Sequence, residues 1–215
     1  MEAYLDNSAT TRVDAQVQEL MKKLMDVDFG NPSSRHQKGV VAEGYIKEAR
    51  QKIAATLKVD PKELIITSGG TESNNMALIG TALAAKRKGN HIITTAVEHP
   101  SVKATASFLE EQGFRITFLS VDSRGQISLE DLKEALTPDT ILVSIMYVNN
   151  EIGTIQPVEE AAKLVHATVP GAVFHVDAIQ AYGKVMIRPK QQGIDLLSVS
   201  SHKFHGPKGA GFLSV

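Results

Sequence analysis

The chain has 215 residues, 42% hydrophobic and 22% charged, the balance of an ordinary globular protein long enough for one large domain. A formal net charge of -1 excludes the strongly basic surface that nucleic acid or an anionic membrane selects, so neither is expected as a partner. Cysteine is absent, which removes disulfides, thiolate metal sites and cysteine nucleophiles from these residues, and no metal is expected. The stretch Met1-Glu-Ala-Tyr-Leu-Asp6 lacks the basic and apolar regions of a signal peptide. No apolar run reaches membrane-spanning length, so a cytoplasmic location is expected.

Tyr4 to Thr11 is a polar loop ahead of a helix over 14–25, in which Val17, Leu20, Met21 and Leu24 are spaced for one face. Phe29-Gly-Asn-Pro-Ser-Ser-Arg-His36 is rich in turn formers and reads as a surface connection or a site entrance. A helix over 38–57 follows and Asp60-Pro61 breaks it. A short strand over 63–67 runs into Ser68-Gly-Gly-Thr-Glu-Ser73, then a helix with Met76, Ile79 and Leu83 on one face. Glycines at a strand-to-helix junction leave backbone N–H groups free at the helix mouth, which favours an anion. Neither the P-loop nor the dinucleotide spacing is present.

The next strand covers 91–96 and ends in Glu98-His-Pro-Ser101, with Ser101 as the expected N-cap of a helix reaching Gly113. A strand over 115–120 follows. Ser128-Leu-Glu-Asp131 resembles a capping box before a helix carrying Leu129, Leu132 and Leu136. The run from Thr140 to Val148 is almost wholly apolar, as in a strand buried on both faces, and leads into Asn149-Asn150. Pro157 opens a helix with Val158, Ala161, Ala162 and Val165 inward. A strand over 172–176 runs into Asp177-Ala-Ile-Gln180, and another over 194–199 into Ser200-Ser-His-Lys203. Gly206, Pro207, Gly209 and Gly211 then make a sharp turn before a last apolar run.

Strands alternating with helices predict an α/β domain with a mostly parallel sheet flanked by helices. Ligands in such sheets bind at the carboxyl ends of the strands. The Gly69-Gly70-Thr71 turn, His99, Asn149-Asn150, Asp177 and Lys203 all follow predicted strands, so they are expected to share one edge. A lysine at a strand end is usually a solvated charge, but a desolvated amine can attack a carbonyl. Hydroxyls and imidazole at Ser200, Ser201 and His202 suit a phosphate, as does the helix mouth at Gly70 and Thr71. Asp177 suits a protonated pyridine nitrogen, and Gln180 could donate to a ring oxygen. Together these residues meet the needs of pyridoxal 5'-phosphate: an amine, an anion site and a carboxylate.

Seven ordered segments carry a resemblance. They are Tyr4-Leu-Asp-Asn-Ser-Ala-Thr-Thr11, Gly30-Asn-Pro-Ser-Ser-Arg-His36, Thr67-Ser-Gly-Gly-Thr-Glu-Ser-Asn-Asn75, Glu98-His-Pro-Ser101, Val148-Asn-Asn-Glu-Ile-Gly153, His175-Val-Asp-Ala-Ile-Gln180 and Ser200-Ser-His-Lys-Phe-His-Gly-Pro-Lys-Gly209. The chain resembles the class V branch of fold-type I pyridoxal phosphate enzymes, most closely the cysteine desulfurases. The resemblance implies the large domain of that fold. It implies Lys203 as the cofactor lysine, Asp177 at the pyridine nitrogen, and His99 stacked on the ring and moving protons. Gln180 and Asn150 would address the ring oxygen and substrate side, and Gly70, Thr71, Ser200 and His202 the phosphate.

It also implies conversion of L-cysteine to L-alanine with sulfur left on an enzyme cysteine, a homodimer, and a sulfur-acceptor scaffold for iron–sulfur cluster or thiocofactor assembly. Family members continue past the cofactor lysine, and the sulfur-carrying cysteine and a carboxylate-gripping arginine lie in that later part. The resemblance therefore reads residues 1–14 as an N-terminal segment and 15–215 as a large domain incomplete at its C-terminus, with the small domain absent. Such a piece alone is expected not to complete desulfuration. A selenocysteine lyase or a class V aminotransferase shares the same cradle. A non-catalytic piece that binds cofactor or a partner chain, and a nucleotide-binding α/β domain built on the Gly-Gly-Thr turn, are the readings of other classes.

Overall fold

The computed structural model describes residues 3–215, so the expected segment over 1–14 begins outside the described residues. Two helices lead, α1 (Ala15–Asp26) and α2 (Gln37–Leu57). Strands and helices then alternate: β1 (Leu64–Thr67), α3 (Gly70–Ala85), β2 (His91–Thr95), α4 (Pro100–Glu111), β3 (Arg115–Leu119) and α5 (Leu129–Ala135). The chain continues with β4 (Thr140–Met146), α6 (Val158–Thr168), β5 (Val173–Asp177), the single turn α7 (Pro189–Gln192), β6 (Leu196–Ser200) and β7 (Gly211–Ser214).

The strands form one sheet in the order β1-β7-β6-β5-β4-β2-β3. From β3 across to β6 all neighbours are parallel. β7 runs antiparallel between β6 and β1, so β1 points the same way as the parallel set. The mostly parallel sheet is thus as expected, and the reversed β7 is the exception.

The core lies on both faces. Successive residues of a strand point oppositely, and accordingly Ile92 and Leu142 pack with α3 and α4, whereas Ile93 and Val143 pack with α5 and α6. All seven residues of β4 are buried, as its unbroken apolar run predicts.

The expected face of α1 is present in part: Val17, Met21 and Leu24 are half-buried and Leu20 is exposed, and no residue of the helix is fully buried. Two local expectations are corrected. The buried face of α3 is Ser73, Asn74, Ala77, Leu78 and Ala82 rather than Met76, Ile79 and Leu83, and Leu83 is 60% exposed. Small side chains let that helix lie close to the sheet, which outweighs the larger residues one step round. The N-cap of α4 is His99, not Ser101: Nδ1 of His99 accepts from the Ser101 N–H, with Pro100 at the first helical position. Ser128 does cap α5 by accepting from the Asp131 N–H, while the reciprocal capping box forms at Asp60 and Glu63.

One close approach places the site. Gly211 pairs with Thr67 on one side and Ser200 on the other. A Cβ at Gly211 would lie 2.6 Å from the Val199 carbonyl oxygen and 2.8 Å from Gly69 Cα. Glycine here lets the Gly69-Gly70 turn sit against the end of β6.

Candidate active site

The connections that leave the carboxyl ends of β1, β2, β4, β5 and β6 surround one cavity of about 560 Å3. It is lined by Gly70, Thr71, His99, Asn150, Asp177, Gln180, Ser200, His202 and Lys203. Gly69, Asn149 and Ser201, also singled out by the sequence, are not in the lining: Ser201 Oγ donates to the carbonyls of Pro207 and Ala210, and Asn149 Nδ2 to that of Val97. The loop over 29–36, read as a possible entrance, contributes nothing to that lining. Lys203 does not directly follow its strand; a 3-10 turn, Ser201–Lys203, carries it over the cavity. Likewise β4 stops at Met146, and Asn150 belongs to the turn beyond it.

Asp177, the last residue of β5, is 4% exposed. Asn74 Nδ2 donates to its Oδ2 at 2.8 Å and the Ile179 N–H to its Oδ1 at 3.0 Å. Burial pushes its carboxyl above the usual carboxylate range, and those two donors, with the charges of His99 and Lys203, pull it back. The same Asn74 amide donates to Ser101 Oγ at 3.0 Å. Ser101 Oγ lies 2.9 Å from His99 Nδ1. One buried asparagine therefore ties the carboxylate to the histidine. Because Nδ1 of His99 accepts from Ser101, Nε2 is the ring nitrogen left for the cavity.

Lys203 is half-buried, and its Nζ donates to the carbonyl oxygens of Ser8 at 2.5 Å and Ala9 at 2.8 Å. Burial lowers the amine's proton affinity, and the Lys184 charge adds to that. Gln180 Nε2 donates to the same Ser8 carbonyl at 2.8 Å. His202 holds the N-terminal stretch in place: its carbonyl accepts from the Thr11 N–H at 2.8 Å and from Thr11 Oγ1 at 3.0 Å. Its imidazole is lowered by burial first and by Lys203 and Lys208 next.

Sequence reasoning gave no role in the site to Ser8, Ala9 or Asn74, and read Ser101 only as a helix cap. The two carbonyls leave no mark in residue type. Asn74 did carry a signal, since Ser73-Asn74 puts polar groups on a helix that has to pack against a sheet.

The family model Aminotransferase class-V matches residues 3–215. Cysteine desulfurase IscS of Dictyoglomus turgidum is 50% identical over 214 residues, covering 100% of this chain and 54% of the relative. Putative cysteine desulfurase IscS 1 of Bacillus subtilis is 51% identical over 210 residues, 98% of this chain and 55% of the relative. The chain spans about half the length of the curated relatives it matches. Among solved structures, a NifS-like protein superposes with TM-score 0.97 at 43% identity, covering 100% of this chain and 59% of that one. The structure titled SspA in complex with cysteine gives TM-score 0.95 at 41% identity, covering 100% and 61%. The fold is that of fold-type I pyridoxal phosphate enzymes. A family match along the whole described chain, with cysteine desulfurases as half-identical relatives, makes this chain a member of the class-V aminotransferase family, matching the N-terminal portion of its cysteine desulfurases.

Proposed function

We propose that the chain is the cofactor-binding part of a pyridoxal phosphate-dependent cysteine desulfurase. The observation that carries this reading is a half-buried lysine amine and a buried carboxylate lining one cavity beside a helix N-terminus. The residues fit that group. The volume of about 560 Å3 lies in the range of cofactor pockets. Asp177 is a buried carboxyl held by two neutral donors, and a cationic ring nitrogen beside it would favour its ionised form. Gly70 opens α3 at the cavity, where a side chain would press on the tip of Ile179, and its bare backbone at a helix N-terminus suits a phosphate.

Bound pyridoxal phosphate supplies an electron sink for negative charge developing on the substrate's α-carbon. Lys203 supplies the amine that holds the cofactor. Its lowered proton affinity raises the fraction of free amine at neutral pH. The Ser8 and Ala9 carbonyls orient that amine toward the cavity. Asp177, fixed by Asn74 and the Ile179 N–H, would face the ring nitrogen and favour its protonated form. His99, which lines the cavity, would stack on the bound ring and has Nε2 free to move a proton. Gln180 spends one amide hydrogen on Ser8 and offers the other to the ring oxygen, with Asn150 on the substrate side. Gly70, Thr71, Ser200 and His202 hold the phosphate.

L-Cysteine as substrate is supported by the relatives' names and by the structural neighbour titled in complex with cysteine. These residues contain no cysteine, so the thiol that accepts sulfur has to come from outside them. The 215 residues by themselves are accordingly proposed not to complete sulfur transfer. In the whole enzyme we place them in a homodimer that passes sulfur to an acceptor scaffold. Among the described residues no helix is long and apolar enough to cross a membrane.

Incubation with pyridoxal phosphate, borohydride reduction and peptide mass analysis test the reading. The expected result is cofactor fixed to Lys203 and lost in Lys203→Ala. Attachment at other lysines alone, or none, would refute it.

A further inference from the structure

Glu98 precedes His99 on the β2–α4 connection, and the proposed function gives it no task. It is 3% exposed. Its Oε1 accepts from Thr95 Oγ1 at 2.8 Å and from the Met146 N–H at 2.9 Å, while Oε2 is buried without a partner. Met146 is the register partner of Asp177 across β4 and β5, so the N–H that holds Glu98 belongs to the residue paired with Asp177. Among the described residues no cation lies within ion-pair distance of Glu98. The charged groups that act on it are Asp177 from β5, which opposes its ionisation, and Lys103 from α4, which favours it least of all the influences.

Asp177 has the better seat for an anion. Both its oxygens have donors, and the charges of His99 and Lys203 favour its ionised form. Glu98 has donors on one oxygen only. Two carboxyls that share a dry region do not both ionise, and the more poorly solvated one keeps the proton.

We propose that Glu98 stands in the folded chain as a neutral carboxylic acid, a positioning residue that leaves Asp177 the sole anion under the cavity while pinning the end of β4. Its importance to catalysis rests on the cofactor reading; its protonation does not. Burial first, then Asp177, pushes the Glu98 carboxyl up to about 8. An unfolded glutamate ionises near ~4.3. Between those values the folded chain holds one more proton than the unfolded chain. The stabilising contribution is therefore whole below ~4.3 and is lost as pH rises to about 8, about tenfold in the folding constant per pH unit.

The test uses the full chain with glutamate carboxyl carbons labelled for NMR, without cofactor. One assigned carboxyl, Glu98, should titrate near 8. It should be absent from Glu98→Gln, whose amide oxygen can still accept from Thr95 and Met146. Asp177→Asn should move the Glu98 midpoint down, and Glu98→Gln should lose the tenfold-per-unit decline in urea stability. A Glu98 carbon that titrates in the ordinary glutamate range overturns the proposal, and wild-type spectra decide this even if the variants fail to fold. An unmoved midpoint in Asp177→Asn overturns the pairing. If wild type takes up no cofactor, the functional reading falls while the Glu98 titration still stands.

Discussion

Gly211→Ala asks whether the close approach at the start of β7 holds the anion-binding turn in place. The added Cβ would meet the Val199 carbonyl oxygen at 2.6 Å, Gly69 Cα at 2.8 Å and Gly69 C at 3.0 Å. All three are backbone atoms, so no rotamer change relieves the contact. Carbon–carbon contacts are comfortable from about 3.5 Å, so the Gly69 turn must retreat by about 0.5–0.7 Å. Overpacking of this kind costs about 1–3 kcal/mol. With a urea slope of about 2–3 kcal/mol per M, the unfolding midpoint should fall by about 0.3–1.5 M. The same retreat pulls the Gly70 and Thr71 N–H groups away from Ser200. A loss of about 1.4 kcal/mol in binding is about tenfold in the dissociation constant for pyridoxal phosphate, measured by equilibrium titration. Gly209→Ala is the control. Its φ is +81° with no atom within 4 Å, so it should cost about 1 kcal/mol in stability and leave binding alone. A Gly211→Ala chain with wild-type urea midpoint and wild-type affinity would refute the reasoning.

Asn74→Ala should lower stability by about 1–3 kcal/mol, because it strips a donor from buried Asp177 and from Ser101; pyridoxal phosphate affinity should fall with it, and an unchanged affinity would separate Asn74 from the site. Gly44→Ala should raise stability by about 0.5–1 kcal/mol, since this exposed position in α2 has nothing within 4 Å of the new methyl; a drop in the urea midpoint would contradict that. Burial holds the His175 imidazole at about 3, between the hydroxyls of Ser144 and Ser198. Unfolded histidine titrates near ~6.5, so the His175 contribution is complete above that and is lost as pH falls toward about 3, at about 1.4 kcal/mol per pH unit. Its ring NMR signals should stay those of the neutral form from pH 8 down to 4.

Much of the candidate site was legible because its side chains sit at strand ends, and strand ends are marked. An apolar run stops, and a polar residue, a glycine or a proline follows. Asp177 after Val173–Val176 and His99-Pro100 after β2 are cases of this. What stayed hidden was of two kinds. Backbone groups such as the Ser8 and Ala9 carbonyls act without regard to side-chain type, so residue identity cannot announce them. Helix faces were misjudged where close packing favoured small residues, as in α3, whose inner face is largely serine, asparagine and alanine. In α1 the apolar spacing was present, and its face is half-buried in part with no residue fully buried.

The sequence by itself determined that alternating strands and helices would form a mostly parallel sheet, and so that residues after the strands would gather at one edge. Only the tertiary structure decided which of those ends are neighbours. Strand order depends on crossovers that local pattern does not encode: β7, last in the chain, reverses and inserts between β1 and β6. That insertion brings the Gly69-Gly70 turn to Ser200 across a glycine. It lets residues 8–11 and 200–205, almost two hundred positions apart, share hydrogen bonds around the Lys203 amine.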